Sequence, residues 1–302
     1  MKPITAHILA FSKNAWMTLN GFEAAVKLVK QLGYTSLVVI PVLFIEQEMT
    51  KEAIANIAKK HGIKLVVCGF YTGAEKSPYS NEGMQSALEE LTRQFSWQVY
   101  FVQQGVGKNL VCGPNFDNWR ASKDDFNLAG LKKYALAITR LAEKLSLVVC
   151  VEILNVHESS IPAPHEVIPA LIHEIGSPHL KLHPDFVHIE SYIGAGKFIE
   201  FLLRHKDIIG TIELGMPGRR SMKHSNSFQG IMAGLFHTLR TTFQDTPLSV
   251  EQFDYIDVIE PFGLPEVYSS RMSGVDVLHD DTAFLKCYGL MEAPAVMPST
   301  EA

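Results

Sequence analysis

Only four cysteines occur in 302 residues, Cys68, Cys112, Cys150 and Cys287, and no two of them form a C-x-x-C pair. That spacing excludes a disulfide scaffold, a zinc knuckle and a dithiol redox motif. Three of the four fall in or beside apolar runs, where free cysteine behaves as a small buried hydrophobe. Positive charge is also short: 27 Lys plus Arg stand against 32 Asp plus Glu, a formal −5. Nucleic-acid binding is dominated by clustered cations, so this balance speaks against it, and it gives no reason to expect an anionic membrane surface. No apolar run approaches the roughly 18 residues of a membrane span. The start, MKPITAHILAF, carries one lysine and a short apolar stretch broken by His7, which is no secretory signal. The expectation is a reduced, cytoplasmic, soluble chain. A glycine-rich phosphate loop is missing as well. Residues 11–20 read FSKNAWMTLN after the first apolar run, which disfavours a nucleotide-binding doubly wound sheet.

What the chain does have is apolar material, 47% of residues, in short β-branched runs separated by amphipathic segments. A chain of this length buries roughly 75% of its unfolded surface, so it needs no metal in order to fold. Any metal is there for chemistry. The runs are 5–11, 36–42, 64–69, 98–102, 147–154, 179–185, 208–214 and 246–252. Continuous apolarity of this kind suits parallel strands covered on both faces. Helices are predicted over 20–32, ending at Gly33; over 50–61, ending Lys59-Lys60-His61-Gly62; and over 126–145, with Leu131, Tyr134, Ala135, Ile138, Leu141, Ala142 and Leu145 at three-four spacing. Eight strand–helix units without a linker predict a single (β/α)8 TIM barrel over residues 1–291, followed by a frayed tail, 292–302. No internal repeat beyond the strand–helix unit is visible.

In such a barrel the strand ends carry the chemistry. Runs five to eight end, in order, in Glu152, Asp185, Glu213 and Glu251. Any one of these could be bonded to a neighbouring Arg, Lys or amide. Four converging on one mouth would repel strongly unless a divalent cation sat among them, and hard oxygen donors favour Mg²⁺ or Mn²⁺ over zinc.

Residues 147–158 (LVVCVEILNVHE) and 181–190 (KLHPDFVHIE), with the ends of strands seven and eight, resemble the xylose-isomerase-like sugar isomerase/epimerase superfamily. Within it the sequence is most similar to the ketose 3-epimerases that act on tagatose and psicose (allulose). The similarity runs from Phe11 and Trp16, through Gly113-Pro114 and Trp119, to the last helix near Phe284, but only the two central motifs are specific. The resemblance implies a divalent cofactor, Mn²⁺ first with Mg²⁺ or Co²⁺ as alternatives, a small-molecule sugar as partner, and a homodimer or homotetramer. It implies metal ligation by Glu152, Asp185 and Glu251. In Glu152-x-x-Asn155-x-x-Glu158 it implies that Glu158 meets a substrate hydroxyl. In Asp185-x-x-His188 it places His188 on a sugar oxygen, and beyond strand seven it places Arg219 on the substrate. Glu152 and Glu251 would be the catalytic pair, one removing the C3 proton and the other returning it.

The chain departs from that pattern at three places. Glu213 aligns with a metal-binding histidine, which leaves three glutamates and an aspartate around the ion. Alternatively, Glu213 pairs with Arg219 or Arg220 and the metal is weak or absent. His183 lies two residues before Asp185, on the same strand face, as a core histidine or a hydrogen-bond partner of Asp185. His157 replaces part of an Arg-Phe pair. Glu260, in Val-Ile-Glu-Pro-Phe, resembles the strand-eight ending more closely than Glu251 does, but would require a long connection, so Glu251 is chosen. The loop carrying Arg219, Arg220, Lys223 and His224 is either a solvated charged loop or a site for an anionic sugar. Phe11, Trp16 and Trp119 either line the pocket or pack. Other readings stay open: an aldose–ketose isomerase, an enzyme of sugar acids or phosphates, a deglycosylating relative, or a non-catalytic sugar-binding barrel. The endonuclease branch is disfavoured by charge.

Overall fold

The computed structural model describes residues 4–12, 14–69, 77–113, 116, 126–156, 158–215, 221–224, 226–251 and 273–291. Eight parallel strands are present: β1 (Ile4–His7), β2 (Ser36–Val39), β3 (Lys64–Cys68), β4 (Gly107–Cys112), β5 (Val148–Glu152), β6 (Leu180–His183), β7 (Ile212–Leu214) and β8 (Leu248–Val250). They run in the order β6-β5-β4-β3-β2-β1-β8-β7. The remaining seam, β6 to β7, is joined by single bridges, Leu182 to Ile209 and Asp185 to Glu213. There the Gly210 N–H donates to the Leu182 carbonyl and the Glu213 N–H to that of Pro184, both at 2.9 Å. Gly210 permits this approach, because a Cβ there would run into Cys150 Sγ and lie 2.8 Å from Lys181 Cβ. The expected single (β/α)8 barrel is the fold found.

Helix ends follow from capping. Thr50 and Asn127 are N-caps, so the second and third predicted helices begin one and two residues later than read, at Lys51 and Leu128. Gly33 and Gly62 close their helices in the left-handed conformation, as their sequence positions suggested. The main apolar core lies between strands and helices: Leu37, Val39, Leu65, Val67, Val149, Val151, Leu182 and Val250 are buried there with Phe22, Phe95 and Phe101 from the helices. Each such side chain contributes about 1.5–3 kcal/mol of burial. Other buried positions are polar, among them Thr5, Ser36, His183, Glu213 and Ser249. All four cysteines are free thiols, as the spacing implied. No described helix is long and apolar enough to cross a membrane.

The run 98–102 is not a strand. It forms the end of the helix Asn81–Gln103, and the fourth strand follows at Gly107–Cys112. Ala87, Leu91, Phe95, Gln98 and Phe101 are buried along this helix, three or four residues apart, and that period outweighed the β-branched composition of the short run. The real strand, GKNLVC, is too polar at its start to be seen as an apolar run. The β3–β4 ladder shifts register between Leu65 and Val67, and Gln98 fills the gap. Its Oε1 accepts from the Val67 N–H at 2.7 Å, while its Nε2 donates to the carbonyls of Leu65 at 3.2 Å and Lys108 at 2.5 Å. Gln98→Leu is expected to cost about 3 kcal/mol, since it strands buried backbone groups. Denaturant unfolding should show that loss, and an unchanged midpoint would refute this role.

Candidate metal centre

Alternation along the strands sets the centre. Glu152 ends β5, Glu213 lies within β7, and Glu251 follows β8 directly. Pro184 turns the chain out of β6, so Asp185 becomes the N-cap of the helix Phe186–Ile193, its side chain accepting from the Val187 N–H at 3.0 Å. The seam bridge sets Asp185 beside Glu213. One oxygen from each of Glu152, Asp185, Glu213 and Glu251 falls in a group whose atoms all lie within 4.8 Å of one another. Asp185, Glu213 and Glu251 are buried, and Glu152 partly so. Four carboxylates that close in a poorly solvated place repel one another, and a divalent cation offsets that cost. Hard oxygen donors in this number fit Mg²⁺ or Mn²⁺.

Three histidines back the carboxylates. His188 Nε2 lies 3.0 Å from Glu152 Oε1 and 3.4 Å from Asp185 Oδ2. Its Nδ1 meets Asn155 Nδ2 at 3.1 Å, and that amide donates to Glu158 Oε2 at 2.8 Å. The Glu158 N–H donates in turn to Asn155 Oδ1 at 3.2 Å, so Asn155 braces both residues. His183 Nε2 lies 3.2 Å from Glu213 Oε2, and the Ser249 hydroxyl donates to the same oxygen at 2.7 Å. His7 Nε2 stands 3.7 Å from Glu251 Oε1. Burial pushes the His183 pKa down, but the charge and hydrogen bond of Glu213 outweigh it and carry the pKa up to about 9. Burial likewise opposes charge on His188, and the carboxylates of Asp185 and Glu152 carry it up to about 9.

The structure thus gathers Glu152, Asp185, Glu213 and Glu251 with His188, and holds Glu158 beside them. His183 faces Glu213 rather than Asp185. Asp185, still extended at φ −92° and ψ 131°, lies beside Glu213 through the seam bridge, and His183 reaches the same glutamate from within β6. Arg219, Arg220, His157, Glu260, Pro114, Trp119 and the tail 292–302 lie outside the described residues. Phe11 and Trp16 pack into the main core. Ser249 and His7 were missed as members of the centre. Ser249 lies two residues before Glu251, hence on the same strand face, and His7 is the last residue of β1; both positions were available as signals.

Gly113, just beyond β4, has φ +74°, and a Cβ there would sit 2.5 Å from Cys68 Sγ and 3.7 Å from Glu152 Oε2. Gly113→Ala is expected to cost about 1–2 kcal/mol for the left-handed backbone alone, before any displacement of Cys68. A thermal melt should fall accordingly, and full stability in the alanine variant would contradict the close approach.

A family model described as the xylose isomerase-like TIM barrel matches residues 26–270. No curated protein matches the sequence. Among solved structures, the fold is similar to D-allulose 3-epimerase from Methylomonas sp. in complex with D-allulose, 16% identical, covering 95% of this chain and 97% of that one, TM-score 0.75. It is similar to D-psicose 3-epimerase with D-tagatose from Clostridium cellulolyticum H10, 13% identical, covering 96% and 99%, TM-score 0.73. It is also similar to 3-keto-D-glucoside 4-epimerase from E. coli, 17% identical, covering 95% and 100%, TM-score 0.68. At such identities the likeness is one of fold.

Proposed function

Since the chain belongs to the xylose isomerase-like TIM barrel family, we propose that it is a metal-dependent sugar isomerase or epimerase, and specifically one that inverts C3 of a free ketose. The observation that carries this reading is the quartet of carboxylates from the ends of β5 to β8, gathered within 4.8 Å. Sugar epimerases of several kinds among the structural neighbours support the same chemistry.

Glu152, Asp185, Glu213 and Glu251 would hold the ion, with Mn²⁺ or Mg²⁺ the best match to an oxygen-only set. When bound, that ion supplies charge stabilisation for the oxygens of an enediolate. The protein's own groups do the rest. Glu152 and Glu251 come from strands three places apart around the barrel, so two carboxylates reach a bound sugar from different sides. One takes the C3 proton and the other returns one to the opposite face. His188, whose Nδ1 is braced by Asn155, would meet a sugar oxygen through Nε2, the nitrogen that rests on Glu152 before substrate binds. Glu158 would accept from a substrate hydroxyl, and Arg219, which follows β7 in the sequence, would contact the substrate.

The test is product identity. Metal-loaded protein is incubated with fructose, allulose, tagatose and ribulose, and each mixture is resolved by chromatography. The C3 epimer should accumulate from at least one of them. An aldose product would move the activity to C1–C2 isomerisation, and a C4 epimer would move it to the neighbouring carbon.

A further inference from the structure

Four carboxylates also suit calcium, which takes about six to eight oxygens and often both oxygens of one carboxylate, whereas Mg²⁺ and Mn²⁺ sites are near-octahedral and use fewer. The side chains behind the quartet distinguish the two cases. Glu213 Oε2 accepts from Ser249 at 2.7 Å and faces His183 Nε2 at 3.2 Å. Asp185 Oδ1 accepts from the Val187 N–H at 3.0 Å. Glu152 Oε1 is 3.0 Å from His188 Nε2, and Glu251 Oε1 is 3.7 Å from His7 Nε2. Glu152, Asp185 and Glu213 therefore each have an oxygen held by a donor of the protein, Asp185 Oδ2 also lies 3.4 Å from His188 Nε2, and Glu251 has the longer approach of His7.

We propose that the tether on Glu213 restricts this carboxylate to a single metal-facing oxygen and makes Ser249 a specificity-determining residue that disfavours calcium. The inference rests on the metal reading above. Ser249 is singled out by register and by distance. It stands in register with Glu213 on the neighbouring strand, so the fold itself delivers its hydroxyl to that carboxylate. The hydroxyl has one proton and three polar atoms near it, Glu213 Oε2 at 2.7 Å, the Ile212 carbonyl at 3.3 Å and His183 Nε2 at 3.5 Å. The shorter contact, to a charged oxygen, takes the proton. Without it Glu213 Oε2 keeps the contact to His183, at the longer 3.2 Å, and turns more readily toward a larger ion.

The experiment is calorimetric titration of the full-length, chelator-stripped protein with MnCl2 or CaCl2 alone. Wild type should bind Mn²⁺ more tightly than Ca²⁺. Ser249→Ala should narrow that ratio about tenfold or more, chiefly by tightening Ca²⁺, and Ser249→Thr, which keeps the hydroxyl, should restore it. His183→Gln, which leaves the Ser249 tether in place, should narrow it less than Ser249→Ala and provides a second variant if alanine disturbs folding. A wild type that binds both ions equally, or a Ser249→Ala protein in which both affinities change by the same factor, overturns the proposal. Heat with neither ion overturns the metal reading itself, and so separates the two failures.

Discussion

Replacing Glu251 with glutamine is expected to slow ketose turnover at least 10³-fold, to an order of magnitude, while leaving the barrel folded. A positioned acid–base group contributes about 10²–10⁴ in rate, and loss of a ligand charge adds to that. Glutamine keeps the volume and one oxygen of the side chain, and Glu251 follows β8 rather than interrupting it, so the Leu248–Val250 ladder to β1 and β7 should survive. The measurement is kcat and KM on the best ketose, with a thermal melt beside it. A near-wild-type rate would remove Glu251 from the reaction and redirect attention to Glu260.

The second large effect is on the ion. Asp185→Asn should weaken divalent-metal binding by more than about 100-fold, beyond the 10–100-fold typical of outer partners. Asp185 is fully buried and caps the helix Phe186–Ile193. Asparagine is an equally good N-cap, so the helix start keeps its acceptor while the centre loses a charge. Metal-induced stabilisation reports this directly. An ion at a hundred times its Kd raises wild-type stability by about 2.7 kcal/mol, and the variant should gain almost nothing at the same concentration. An asparagine variant stabilised like wild type would mean that Asp185 is a cap and not a ligand.

Much of this arrangement is legible in the sequence, for an identifiable reason. Strands β5 to β8 are apolar runs that stop at a carboxylate, and a barrel turns that one-dimensional punctuation into a ring of groups at one mouth. Strand β4 was illegible because Gly107-Lys-Asn opens it with polar residues and its partner Gln98 sits on a helix. The neighbouring run 98–102 looked more strand-like than the strand did. Within the centre, the four acids and His188 were marked by motif and position. The pairings of Ser249 and His183 with Glu213 depend on which residue stands opposite which across β6, β7 and β8, and register is fixed by three-dimensional closure of the sheet. His183 is buried, as the reading of a core histidine expects, and its partner is Glu213 rather than the alternative, Asp185. His7 reaches Glu251 only because the barrel brings β1 beside β8.

A metal centre formed by the four strand-end carboxylates would move a proton at C3 of a ketose. Its most direct test is incubation of the ketose in D2O with metal-loaded and with chelator-stripped protein, followed by NMR of the recovered sugar. Deuterium is expected at C3 with the loaded protein, none after stripping, and recovery on adding Mn²⁺. Deuterium confined to C1, or no exchange with the loaded protein, would contradict it.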